Sequence, residues 1–384
     1  MSPNKAKQNS RAGTFIQQPG GCRAFIPKPL PPSPPIQYTP TLVNALSHAT
    51  LTIGRLDGAA DVLPNPDLFV AMYVRKEAVL SSQIENTQAS LADVLEYEAG
   101  APLQGLPLDV GEVVNYVGAM NYGLERLKSL PLSLRLIREI HAKLLAGVRG
   151  GDRTPGEFRI RPNWIGPPGC TLAEAVFVPP PVPEMHTALG DLEAFMRRRD
   201  HAPLIQIGLA HAQFETIHPF LDGNGRVGRL MITFMLCERK ILCRPLLYLS
   251  RYLVANKQEY YDRLMAVRLR GEWEEWLNFF LKGVATVSEE ASQKARRIID
   301  LRDKHRAKID ASKHRVALSY RLLELLYQSP VVTMPETAKR LQRSRVTAND
   351  LIWHFEQLGF LQEITGKTRN RRFRYQPYYD LLNE

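Results

Sequence analysis

The chain has 384 residues, of which 44% are apolar, 23% charged and 8% aromatic; these proportions belong to a folded globular protein and exclude a disordered or collagen-like one. With 50 Lys+Arg against 39 Asp+Glu it carries a net +11 and a pI near 9.5, which raises nucleic acid as a partner without requiring it. The four cysteines, Cys22, Cys170, Cys237 and Cys243, form no CxxC pair, which excludes a disulfide scaffold and a cysteine-rich zinc site and suits a reducing cytosol.

The first thirteen residues, MSPNKAKQNSRAG, lead into no apolar stretch of the secretory kind. No run approaches the roughly 18 apolar residues that a membrane-crossing helix needs. The expectation is a cytoplasmic chain with no membrane partner. Residues 1–40 hold eight prolines between Pro19 and Pro40, which predicts a Pro-rich N-terminal arm, either a disordered tail or an extended segment tucked against the core. Apolar residues at i, i+3 and i+4 then predict helices over 42–56, 68–82, 90–98, 110–129, 133–145 and 183–198. Two strongly apolar helical segments, 204–217 and 226–237, follow with a Gly-rich turn between them. Residues 153–183, rich in Gly and Pro, predict a long loop with a small hairpin around 175–179. Residues 283–315 read as a connecting helix, and 316–384 as three helices and two short strands, the order of a winged helix-turn-helix.

Between the two apolar helices runs His218-Pro-Phe-Leu-Asp-Gly-Asn-Gly-Arg-Val-Gly-Arg229. Closely spaced glycines let successive N–H groups point into one concavity at a helix N-terminus, where free donors and the helix dipole favour phosphate. Arg226 and Arg229 lie three apart and share a face, and Asn224 can donate to the same anion. Asp222 beside such a site calls for a bridging cation, as Mg²⁺ provides in nucleotide sites. His218 supplies a base for an attacking hydroxyl. The composite predicts a nucleotide-triphosphate site for phosphoryl or nucleotidyl transfer.

These twelve residues match without a gap the signature HPFx[D/E]GNGRxxR, and the chain resembles the Fic family on that ground. The resemblance implies a mainly α fold: a Fic-type helical core with a small β-hairpin flap, followed here by the winged helix-turn-helix. The expected divisions are the arm at 1–40, an N-terminal helical region with an inhibitory helix at 41–110, the catalytic core at 111–282, the connecting helix at 283–315 and the winged module at 316–384. It implies transfer of AMP from ATP to a Ser, Thr or Tyr hydroxyl of a target protein, with release of pyrophosphate. His218 resembles the general base and Asp222 the Mg²⁺ ligand. Gly223, Asn224 and Gly225 resemble the α/β-phosphate cradle, Arg226 the β-phosphate contact and Arg229 the γ-phosphate contact. Val227 and Gly228 complete the ATP-binding stretch. Glycine at 225, where the Doc kinases carry lysine, resembles the AMP-transferring branch.

Upstream, Ser81-Ser82-Gln83-Ile84-Glu85-Asn86 resembles the family's inhibitory motif [S/T]xxxE[G/N]. The spacing puts Ser81 and Glu85 on one helix face, and the resemblance implies that Glu85 pairs with Arg229 in place of the γ-phosphate. Gly156-Glu157-Phe158-Arg159 resembles the entry to a target-binding flap, which Val176, Phe177, Val178 and Pro179 would form. Tyr261 is the choice for stacking on adenine, with an ordinary core aromatic as the alternative. The partners implied are a protein bearing a hydroxyl, the chain itself through self-modification, and a second copy in a homodimer. The last 84 residues hold 16 Lys+Arg against 9 Asp+Glu, which adds nucleic acid or a docking protein as a partner of the winged module. The competing reading is a DNA-binding regulator with a nucleotide-sensing or inactive core.

Overall fold

A computed structural model describes residues 10–18, 21–61, 63, 66–98, 106–167 and 169–383. Residues 1–9, with most of the polar start of the arm, lie outside the described residues, as do Pro19, Gly20 and residues 99–105.

The arm is neither a tail nor a plain extended strand. Strands β1 (Gly13–Gln17) and β2 (Arg23–Pro27) pair antiparallel with Phe15 opposite Phe25. Phe25 is fully buried, and Arg11 forks onto Glu274 at 2.9 Å, so the hairpin is fastened to the core. Pro29, Pro31, Pro32, Pro34 and Pro35 come after it, in the extended stretch that leads to the first helix.

The helical body follows as α1 (Pro40–Asp61), α2 (Pro66–Ile84), α3 (Leu91–Glu98), α4 (Val110–Arg126), α5 (Leu134–Leu144) and α6 (Val182–Arg197). At its centre stand α7 (Pro203–Ile217) and α8 (Asn224–Glu238). Leu204 to Ile217 is buried on every side, polar members included, as expected of a helix apolar all round. The body is completed by α9 (Ser250–Ala255) and α10 (Lys257–Arg270). Pro203 opens α7 at a position where its missing N–H costs nothing.

Helix α11 (Trp273–Ser312) runs for 40 residues, about 60 Å, through the boundary expected at 282/283. Trp273, Trp276 and Phe280 bury its first half in the body, and Ile298, His305 and Ile309 bury its second half under the C-terminal region. That region contains α12 (Val316–Gln328), β3 (Val331–Thr333), α13 (Met334–Leu341), α14 (Arg345–Gln357), β4 (Leu361–Glu363), β5 (Arg372–Tyr375) and α15 (Gln376–Asn383). Its sheet is antiparallel with order β3-β5-β4, one strand more than the sequence suggests. No helix among the described residues is long and apolar enough to cross a membrane.

Candidate active site

Helix α7 ends at His218, which closes it in the left-handed conformation at φ 50°. A non-glycine residue there is strained and persists only when its surroundings hold it. The Arg159 Nε and the Asn163 Nδ2 both donate to the His218 carbonyl, at 3.0 and 3.1 Å. Arg159 is buried, and its other donors reach the Pro180 and Ile217 carbonyls, so it ties the loop before α6 to the end of α7. Burial, with Arg268 and Arg159 close by, pushes the His218 imidazole down to about 3. It is therefore a neutral base at physiological pH, less basic than the near-neutral imidazole expected from the sequence. Its Nδ1 is buried with no partner among the described residues.

Gly223 adopts φ 75° and opens α8 with no side-chain cap, so the first N–H groups of this helix are open to a ligand. The Asn224 amide turns into the loop and not toward an anion. Its Oδ1 accepts from the Phe220 N–H and its Nδ2 donates to the Phe220 carbonyl, both at 2.8 Å, so the side chain shapes the loop from within. Val227 and Gly228 are likewise committed. The Val227 N–H donates to Gly223 and its side chain lies in the core, while a Cβ on Gly228 would meet Glu215 Oε1 at 2.6 Å.

The two motif arginines are held by different acids. Arg226 is buried, with Nη1 donating to Glu112 at 2.8 Å and Nη2 lying 3.5 Å from Asp222. Arg229 donates from Nε to the Ser81 hydroxyl at 2.7 Å and from Nη2 to the Ser81 carbonyl at 2.9 Å and to Glu85 at 2.8 Å. Burial acts to raise Glu85, but Arg229 overrides it and holds the carboxyl below its ordinary value. Glu85 sits one residue beyond the end of α2, in the turn that Asn86 closes at φ 65°, and not on the helix face. Asn86 accepts from Lys257 at 2.9 Å, which joins this turn to α10. Tyr260, next to Tyr261, is buried and bonded to His211 at 2.9 Å, whereas Tyr261 is 39% exposed with its ring tilted against Tyr260 at 5.2 Å.

One residue outside the motif braces it. His141 of α5 is buried; its Nδ1 accepts from the Gly156 N–H at 2.8 Å, so Nε2 bears the proton and donates to the Asp222 carbonyl at 3.0 Å. Its ring stacks on Phe220 at 3.7 Å. A single histidine on an amphipathic helix carries no signal in sequence, and neither does Glu112, the counterion of Arg226.

The flap is less exposed than expected. Ile165 and Phe177 form an isolated antiparallel bridge, not a hairpin. Phe177, Val178 and Pro179 are buried, Phe177 beneath the Arg268 guanidinium at 4.1 Å, and only Val176 faces out. The arm accounts for part of this, because the Phe25 N–H donates to the Val178 carbonyl at 2.9 Å.

A neutral imidazole, an uncapped helix N-terminus and two arginines, each held by its own acid, are features that suit a phosphate ligand. Residues 43–125 match the Fic/DOC family N-terminal region and residues 131–236 the Fic/DOC family itself. The chain belongs to the Fic/DOC family. It is 27% identical over 177 residues to a probable protein adenylyltransferase of Aquifex aeolicus, covering 45% of this chain and 51% of that protein. It is 29% identical over 196 residues to the protein adenylyltransferase Fic of Aedes aegypti, covering 47% and 37% respectively. The chain thus spans about half or less of the length of these curated relatives. A Fic family protein from Desulfovibrio desulfuricans G20 superposes over 89% of this chain and 98% of its own, with TM-score 0.59 and 21% identity. Fic-1 of C. elegans does so over 68% and 75%, with TM-score 0.50 and 20% identity. These two likenesses establish the fold.

Proposed function

We propose that this chain is an autoinhibited protein adenylyltransferase. The target hydroxyl attacks the α-phosphorus of ATP, the bond to the β-phosphate breaks, and pyrophosphate leaves. His218, neutral at physiological pH, takes the hydroxyl proton. Incoming phosphates bring negative charge beside the imidazole and raise its affinity for that proton. The open N–H groups at the start of α8 and the Arg229 guanidinium receive the phosphates. Tyr261 stacks on adenine. The names of the relatives, protein adenylyltransferases of 27–30% identity, support the reaction class.

The residues present fit Mg²⁺. Asp222 offers a half-exposed hard carboxylate beside the phosphate site, and this ion commonly takes one carboxylate together with substrate phosphates. When bound, it neutralises phosphate charge. Asp222 would hold it, with its backbone carbonyl fixed by His141.

The observation that carries autoinhibition is the Glu85–Arg229 contact at 2.8 Å. A carboxylate on that guanidinium occupies the charge that the γ-phosphate requires. The same contact bears on the branch of the family. A Cβ at Gly225 would lie 2.3 Å from Glu85 Oε1, so a lysine at 225 could not coexist with Glu85 in this position. The test is transfer from α-labelled ATP with Mg²⁺. Glu85→Gly is expected to raise self- or target labelling at least tenfold over wild type, and His218→Ala in the Glu85→Gly background to abolish it. A Glu85→Gly variant no faster than wild type removes the brake, and label that survives without His218 removes the base.

We propose further that residues 316–384 form the winged module, with α14 as its outward helix. Val346 and Trp353, two turns apart, are exposed on α14, while Ile352 and Phe355 belong to the core. The exposed apolar pair favours protein docking. Exposed Arg343, Arg345, Asn349, Lys367 and Arg369 favour the second reading, a DNA-binding regulator. Anisotropy with a labelled duplex at 50 and 200 mM salt separates them, since binding through phosphates weakens steeply with salt.

A further inference from the structure

Helices α2, α11, α12 and α15 line a cavity, open on one side, far in sequence from the phosphate loop. Phe69, Ile298 and Leu323 make its apolar walls, and its volume is about 160 Å³. A cavity of about 150 Å³ lined by such side chains accepts a benzene ring. Tyr378 of α15 backs its wall with a fully buried ring, its hydroxyl turned out of reach of the space.

What separates this cavity from a packing void is charge at the mouth. Arg302 and Arg306 line the cavity from successive turns of α11. Arg302 leans on its neighbour Asp303 at 2.8 Å. Arg306 lies over the Tyr320 ring at 4.7 Å and pairs with no carboxylate among the described residues. Against these two cations the lining offers one exposed carboxylate, Glu324. An apolar space the size of one ring, with a half-buried guanidinium at its opening, fits one class of ligand. We infer that this cavity binds a small organic anion with an aromatic body, of the arylcarboxylate class. The ring fills the space between Phe69, Ile298 and Leu323, and the carboxylate meets Arg306. The inference does not depend on the transferase reading.

Saturation-transfer difference NMR on the full chain tests it with benzoate as the probe, and with benzylamine as a probe of the same shape and opposite charge. Benzoate is expected to give a saturable signal that excess ATP leaves unchanged. Arg306→Gln should weaken binding at least fivefold, and Leu323→Trp, which fills the cavity, should remove it. Circular dichroism reports whether Leu323→Trp folds; if it does not, the surface variant Arg306→Gln decides. Absence of a saturable benzoate signal overturns the inference. So does an equal response to benzylamine, displacement by ATP, or full binding by Arg306→Gln.

Discussion

His141 holds the loop that carries Asp222 by one hydrogen bond and by its ring stacked on Phe220, and accepts a second, buried hydrogen bond from Gly156. Burial pushes the imidazole down to about 4, so it stays neutral and keeps one tautomer over the working range of pH. His141→Ala would orphan the Gly156 N–H and the Asp222 carbonyl together, at a cost of about 2–4 kcal/mol. Urea unfolding reads this cost, and a loss below about 1 kcal/mol would mean that the loop supports itself. Glu215 presents the opposite case. Burial pushes its carboxyl up to about 7 against the pull of Arg229, and Oε1 has no partner among the described residues. The folded chain therefore keeps this proton when the unfolded chain, with an ordinary carboxyl near pKa ~4.3, has lost it. The contribution to stability is complete below that value and is lost as pH rises to about 7. Glu215→Gln should then be more stable than wild type at pH 8, by roughly 2–4 kcal/mol, and should gain nothing at pH 4. Denaturant midpoints at the two pH values check the sign. Comparing variant with wild type cancels the slopes of the other buried titrating groups, which both chains share.

At the scale of elements, the site depends on how closely α4 approaches α8. Gly123 makes that approach, because a Cβ there would lie 2.3 Å from the Phe234 ring. Gly123→Ala gains up to about 1 kcal/mol of helix propensity and still should destabilise the fold, since overpacking of this kind costs about 1–3 kcal/mol. A rise in the thermal midpoint would show that the ring simply turns aside. What the sequence made legible follows from where the chemistry lies. The His218–Arg229 stretch is legible because each polar residue in it is placed by a covalent spacing. The amphipathic helices are legible because one face repeats, and the observed α1 to α8 match the expected spans within a few residues. The arm hairpin is not, because Thr14–Ile16 and Ala24–Ile26 are too short to show alternation among glycines and prolines. The continuity of α11 is hidden by a change of composition at 282, where the apolar stripe passes from one partner surface to another without a break in the backbone. Asn224 reads as a ligand donor because its amide could serve either purpose, and only the loop geometry commits it to Phe220.

Across the whole molecule, the +11 is unevenly placed, with +7 in the last 84 residues, yet that basic end is not a detachable appendage. His305 of α11 bonds the Tyr375 hydroxyl at 2.8 Å and stacks on Phe360 at 3.9 Å. Arg372 of β5 reaches Glu96 of α3 at 3.9 Å. Lys76, buried on α2, donates to the Leu382 carbonyl at the end of α15, and Ser81 and Glu85 lie one to three turns further along the same segment. Helix α2 is therefore clamped at one point by the C-terminal region and at another by Arg229. Loss of residues 313–384 would bare Phe69 and Tyr73 of α2 and Ile298 and Ile309 of α11, all now buried. At roughly 1.5–3 kcal/mol for each large apolar side chain returned to water, that loss is comparable with the net stability of an ordinary domain. A chain ending at residue 312 should therefore melt well below the full chain, by 10 °C or more, and should bind an apolar dye that the full chain does not. Thermal unfolding followed by circular dichroism, with dye fluorescence on the same samples, makes the comparison. Equal melting temperatures and a dark dye would mean that the C-terminal region rests on the body without supporting it.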